Sequence, residues 1–155
     1  MNRDYYVVIM AGGVGTRFWP MSTSVCPKQF IDVMGTGRTM IQQTFDRFRE
    51  FCPTENVFVV TGEAYKDLVL KQLPELRPDR VLCEPHRKNT APCIAYANYR
   101  IHSINPNAIV VVTPADHVVL KQEVFNAVVH QAADAAASND WLITLGIKPS
   151  YPNTG

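Results

Sequence analysis

YYVVIMAGGVGTRFWPMSTSVCPKQF, residues 5–30, joins an apolar, β-branched run to a loop dense in glycine, proline and cations. The run reads as a short buried strand, and a glycine-rich loop at its C-terminal end is a place where backbone can approach a phosphate closely. Two familiar phosphate loops can be tested against it. A dinucleotide fingerprint needs G-x-G-x-x-G, and counted from Gly13 its third glycine falls on Phe18. A P-loop needs G-x-x-x-x-G-K-[ST]; its second glycine falls on Arg17 from Gly12 and on Phe18 from Gly13. Neither fits. Pro20 and Pro27 stiffen the segment, so no regular helix is expected to begin at once.

Working outward, similar apolar runs recur at 57–61 (VFVVT), 80–83 (RVLC), 108–113 (AIVVVT) and 141–146 (WLITLG). Helical periodicity fills the gaps between them. Met40, Ile41, Thr44, Phe45 and Phe48 share a face, a second helix is expected over about 63–73, a third carries Ala91 to Ile101, and a fourth carries Val124 to Ala132. The predicted order is β-α-β-α-β-α-β-α-β. Strands apolar at successive positions are buried on both faces, which implies a mostly parallel, doubly wound, Rossmann-like α/β sheet. In the strand order 3-2-1-4-5 the first and fourth strands adjoin where the winding reverses, and ligands bind beyond their carboxyl ends. The glycine loop and TPADHV, residues 113–118, should therefore face each other across a cleft.

The 155 residues suit one domain, with no repeat, low-complexity tract or linker. A formal charge of +1 and no Lys/Arg stripe give no footprint for a nucleic-acid polymer. Cys26, Cys52, Cys83 and Cys93 show no C-x-x-C pairing and no zinc pattern, so they read as free structural thiols. The N-terminal apolar run is too short for a signal peptide or membrane span, and the chain reads as cytoplasmic.

The loop residues then suggest chemistry. Gly12, Gly13 and Gly15 let backbone N–H groups gather round an anion, Arg17 adds a planar fork of donors, and Lys28 a second cation. Asp116, just past strand four, suits Mg²⁺, which commonly takes one or two carboxylates plus substrate phosphates. His117 reads as an ordinary loop histidine, and His86, His102 and His130 carry no pattern. Glu84, after strand three, could accept the ring N–H and exocyclic amine that guanine offers and adenine lacks. Asn89 and Thr90 open the next helix, where capping by Thr90 is the default reading.

Four separated motifs then point one way. AGGVGTRFWPM with PKQF, EPHRKNTAPC, PADH and LGIKPSYPNTG resemble, in order, the signature segments of the sugar-nucleotide pyrophosphorylases, specifically the mannose-1-phosphate guanylyltransferase branch. The resemblance implies a glycosyltransferase-A-like nucleotidyltransferase fold and transfer of GMP from GTP to mannose 1-phosphate with Mg²⁺. Carried onto this chain, it places Gly12, Gly13, Gly15, Thr16, Glu84, Asn89 and Thr90 at the nucleotide and Arg17 and Lys28 at the reacting phosphates. It places Asp116 at the metal and Gly146 beside the sugar. Ser22-Thr23 departs from the family's usual Ser-Arg. Relatives of this kind continue past the Thr-Gly at 154–155 with sugar-binding elements and a second metal-binding aspartate, so residues 1–155 are expected to be the nucleotide-binding portion of a catalytic domain. A strand left bare by that arrangement would invite self-association into a homo-oligomer. Three readings stay open at this stage: the guanylyltransferase, a GTP-binding fragment without turnover, and a pyrophosphorylase for another base or sugar 1-phosphate.

Overall fold

A computed structural model describes residues 2–13, 15, 18–86, 88–149 and 151–152. Four parallel strands form one sheet: β1 (Tyr5–Met10), β2 (Val57–Gly62), β3 (Val81–Glu84) and β4 (Ile109–Pro114), in the order β3-β2-β1-β4. The helices are α1 (Met40–Arg47), α2 (Lys66–Gln72), α3 (Thr90–His102) and α4 (Gln122–Ser138). β1 pairs with β4 from Tyr5 opposite Ile109 to Met10 opposite Pro114, so the expected reversal of winding lies between them.

Alternation along the strands sorts the core into two layers. Tyr5, Val7 and Ile9, with Val57 and Val59, pack under α1, α2 and α4 through Ile41, Phe45, Val69, Leu73 and Val129. Tyr6, Val8, Phe58 and Val60 face α3 through Cys93, Ala97 and Ile101. Val7, Val8, Ile9, Phe58, Val59 and Val60 are wholly buried, which is why these strands are apolar on both faces; each such side chain contributes about 1.5–3 kcal/mol. Helix α1 begins where the sequence gives a start signal: the Gln42 side chain accepts the Thr39 N–H at 3.0 Å.

The fifth expected strand does not form. Residues 141–149 take no regular structure, and Trp141, Leu142 and Ile147 are exposed. A strand needs a ladder partner and cover for both faces. Beyond α4 no described element supplies that cover, although β4 itself keeps an open edge and Ile109–Val112 are only half-buried. Apolar content alone does not make a strand. No helix among the described residues is long and apolar enough to cross a membrane.

Candidate active site

The carboxyl ends of the strands are stitched together just beyond the sheet. Ala11 N–H bonds the Val60 carbonyl at 2.8 Å, and Ala115 N–H bonds the Met10 carbonyl at 3.0 Å. This holds the glycine loop after β1 beside the loop after β4. Between them opens a cleft of about 300 Å³, within the range of small-ligand sites. It is lined by Gly12, Gly13, Gly15, Lys28 and Gln29 from the first loop and by Pro114, Ala115 and Asp116 from the fourth. Glu84 at the end of β3, with Asn89, Thr90 and Cys93 from the start of α3, closes another side.

Among the described residues after β1 there is no α-helix until Met40; a 3₁₀ turn, Lys28–Phe30, brings the chain back to the cleft. Gly15 makes that return possible. Its φ is +63°, and a Cβ there would lie 2.6 Å from Ser22 Oγ and 2.9 Å from Lys28 Cβ. Only glycine admits both the left-handed backbone and this close approach. Gly13, by contrast, has nothing within 4 Å of an added Cβ. So the three glycines differ in role. Gly15 seats the lysine-bearing segment, while Gly12 and Gly13 form an open wall.

Lys28 Nζ lies 3.7 Å from Asp116 Oδ2 and 4.2 Å from the centre of the Phe18 ring. The ring holds the ammonium over its face, a contribution of Phe18 that the sequence reading missed. The Lys28 side chain is largely covered, whereas that of Asp116 is about half open to solvent at 47%. The Lys28 ammonium and the Asp116 carboxylate thus face the same space. No cluster of three or more His, Cys, Asp or Glu converges among the described residues, so the cleft offers no self-sufficient metal cage. A single open carboxylate fits a Mg²⁺ whose other ligands are phosphate oxygens and water.

Glu84 reaches over the glycine loop: a Cβ on Gly12 would stand 3.6 Å from Glu84 Oε2. Beyond it, α3 starts on a strained residue. Asn89 has φ 67° and ψ −165°, a backbone conformation costly for a non-glycine residue, and strain of this kind gathers at functional sites. The structure corrects the capping reading of Thr90. Thr90 is the first helical residue, the cap position belongs to Asn89, and the Asn89 side chain makes no capping hydrogen bond. The helix N-terminus is left to favour negative charge in the cleft. Cys93 is buried below it, and burial, with the charge of Glu84 adding, pushes its thiol up to about 11. It stays protonated and is no nucleophile at neutral pH.

Two further residues were invisible to sequence reasoning. Arg47 on α1 is only 4% exposed, and burial lowers its pKa from the ordinary value. Its guanidinium donates to the His117 carbonyl at 3.2 Å and lies 5.4 Å from the Phe125 ring, with no carboxylate partner among the described residues. It fastens the loop that carries Asp116. Gln29, the third letter of PKQF, is also buried and bonds the carbonyls of Ala11 and Gly13. No periodicity announces either residue. His117 itself is exposed and contributes its carbonyl to Arg47. Thr23, where an arginine was expected, closes a local turn by accepting the Cys26 N–H at 3.1 Å. Arg17 and Thr16 lie outside the described residues. Gly146 sits in the irregular segment after α4 and is not among the cleft's lining residues.

Comparison with known proteins gives the family. Residues 6–155 match the family model described as nucleotidyl transferase. The chain belongs to the nucleotidyl transferase family. Within that family it is 38% identical over 154 residues to the xanthan biosynthesis protein XanB of Xanthomonas campestris pv. campestris (strain B100), covering 98% of this chain and 32% of XanB. It is 37% identical over 154 residues to a mannose-1-phosphate guanylyltransferase of Escherichia coli (strain K12), covering 97% of this chain and 32% of that protein. A solved structure described as mannose-1-phosphate geranyltransferase from Thermus thermophilus superposes with a TM-score of 0.74 at 27% identity, over 86% of this chain and 38% of that one. The chain spans about a third of the length of the curated relatives it matches.

Proposed function

We propose that the cleft binds GTP and passes its GMP moiety to mannose 1-phosphate, forming GDP-mannose and releasing pyrophosphate. The observation that carries this reading is the meeting of Lys28 and Asp116, 3.7 Å apart, beneath a glycine loop overhung by Glu84. It is supported by family membership and by the guanylyltransferase names among the relatives. In this reading residues 1–155 are the nucleotide-binding portion of a catalytic domain, in keeping with the share of the relatives they span.

A phosphate oxygen of the sugar attacks the α-phosphorus in line; the new P–O bond forms as the bond to pyrophosphate breaks, and its electron pair leaves with pyrophosphate. No covalent enzyme intermediate is required, so positioning and charge neutralisation supply the rate. Lys28 neutralises phosphate oxygens near the reacting centre, and Arg17 the departing pyrophosphate. Asp116 would hold Mg²⁺, which when bound supplies further positive charge to the phosphates. Glu84 accepts from the guanine edge, Gly12, Gly13, Gly15 and Thr16 line the nucleotide with Asn89 and Thr90, and Gly146 belongs to the sugar side.

The second reading, GTP binding without turnover, is favoured by one observation: Gly146 stands apart from the cleft. Pyrophosphate release from GTP plus mannose 1-phosphate separates the two. We expect release that depends on both substrates and is abolished by EDTA, and in Arg17→Ala a loss of turnover of about two orders of magnitude or more with the fold intact. Near-wild-type turnover in Arg17→Ala would remove that residue from the chemistry. GTP binding with no pyrophosphate formed would establish the second reading.

A further inference from the structure

The Gln29 side chain, 3% exposed, donates from a single amide nitrogen to the Ala11 carbonyl at 2.8 Å and to the Gly13 carbonyl at 2.9 Å. Thr61, wholly buried on β2, donates to the same Ala11 carbonyl at 3.0 Å. Two acceptors of the glycine loop are thereby taken up from the protein side. Because a trans peptide is planar, the Gly12 N–H points opposite to the Ala11 carbonyl. Neither the Gly12 nor the Gly13 N–H donates to any protein group among the described residues. Left to itself, such a loop would be free to turn a carbonyl towards the cleft, where its negative end would repel a phosphate.

We propose that Gln29, assisted by Thr61, is the positioning residue that keeps the Ala11 and Gly13 carbonyls turned away from the cleft, so that the Gly12 N–H is presented to a phosphate there. The glycines permit this shape and the carboxamide imposes it. The proposal rests on the nucleotide reading above and explains why the segment needs glutamine beside Lys28. A glutamate there would have the same outline but could not donate to two carbonyls, and would add a negative charge beneath the phosphates. The recognised feature is the ligand's polyphosphate, so a ligand lacking phosphates should not sense the change.

The test compares GTP with guanosine by calorimetric titration of the wild-type chain, Gln29→Glu, Gln29→Met and Thr61→Val. We expect Gln29→Glu to lose at least a hundredfold in GTP affinity, Gln29→Met about tenfold, and Thr61→Val a smaller factor in the same direction, with guanosine affinity within twofold of wild type throughout. A residue that only stabilises the fold would weaken both ligands alike. Equal loss for GTP and guanosine, or unchanged GTP binding in a folded Gln29→Met, overturns the proposal. Thr61→Val touches only one of the two carbonyls and keeps the comparison available should the Gln29 variants unfold; unchanged GTP binding in it then overturns the proposal as well. A wild-type chain that binds GTP no better than guanosine overturns the nucleotide reading itself, and this proposal with it.

Discussion

At the scale of single residues, the opening loop resolves into parts that its composition hides. Three glycines in four positions suggest one shared task, yet their surroundings divide them. Gly15 combines φ +63° with contacts below 3 Å for any added Cβ, whereas Gly13 faces open space. Gly15→Ala should therefore cost about 1–3 kcal/mol and disturb Lys28, while Gly13→Ala should change stability by less than about 0.5 kcal/mol. Urea denaturation of both variants checks this, and equal effects would contradict the division. Residue chemistry was readable in advance where a side chain declares its own property: the cation of Lys28, the carboxylates of Glu84 and Asp116, each now found lining one cleft. It was not readable where the property is relational. Phe18, Gln29 and Arg47 matter through what lies opposite them, across 10, 16 and 70 residues of chain.

At the scale of elements, strands β1 to β4 and the four helices follow from apolar period and burial, and the register of β1 against β4 places the two functional loops side by side. The segment 141–146 shows the limit of such reading. Its residues are as apolar as those of β1, but apolar character is a demand for partners, and none of the described elements meets it. The loop between β4 and α4 shows the converse case, an irregular segment held by a side chain from another element. Its tether is the buried Arg47, a charge desolvated without a carboxylate partner among the described residues. Arg47→Ala should destabilise by about 2–4 kcal/mol, through the cavity and the lost bond. Arg47→Met should recover most of that, since it fills the space and removes the buried charge. Amide exchange over residues 116–121 should be faster than in the wild-type protein in both variants, because neither restores the bond to His117. A methionine variant as unstable as the alanine one, or one with wild-type exchange there, would contradict the assignment.

At the scale of the whole molecule, a near-neutral protein concentrates its chemistry at one end of a parallel sheet. Three helices cover one face and α3 the other, and the first residues of α3 line the cleft. The sheet thus does two things at once: it buries the apolar strands and brings together groups from residues 12 to 116. That arrangement, with the family match, makes the base the central question, since Glu84 is the group proposed to choose it. Calorimetric titration of the chain with GTP, ATP, UTP and dTTP in the presence of Mg²⁺ puts this most directly. The account predicts that GTP binds at least tenfold more tightly than the other three and that Glu84→Gln narrows the difference; tighter binding of ATP or UTP would contradict it.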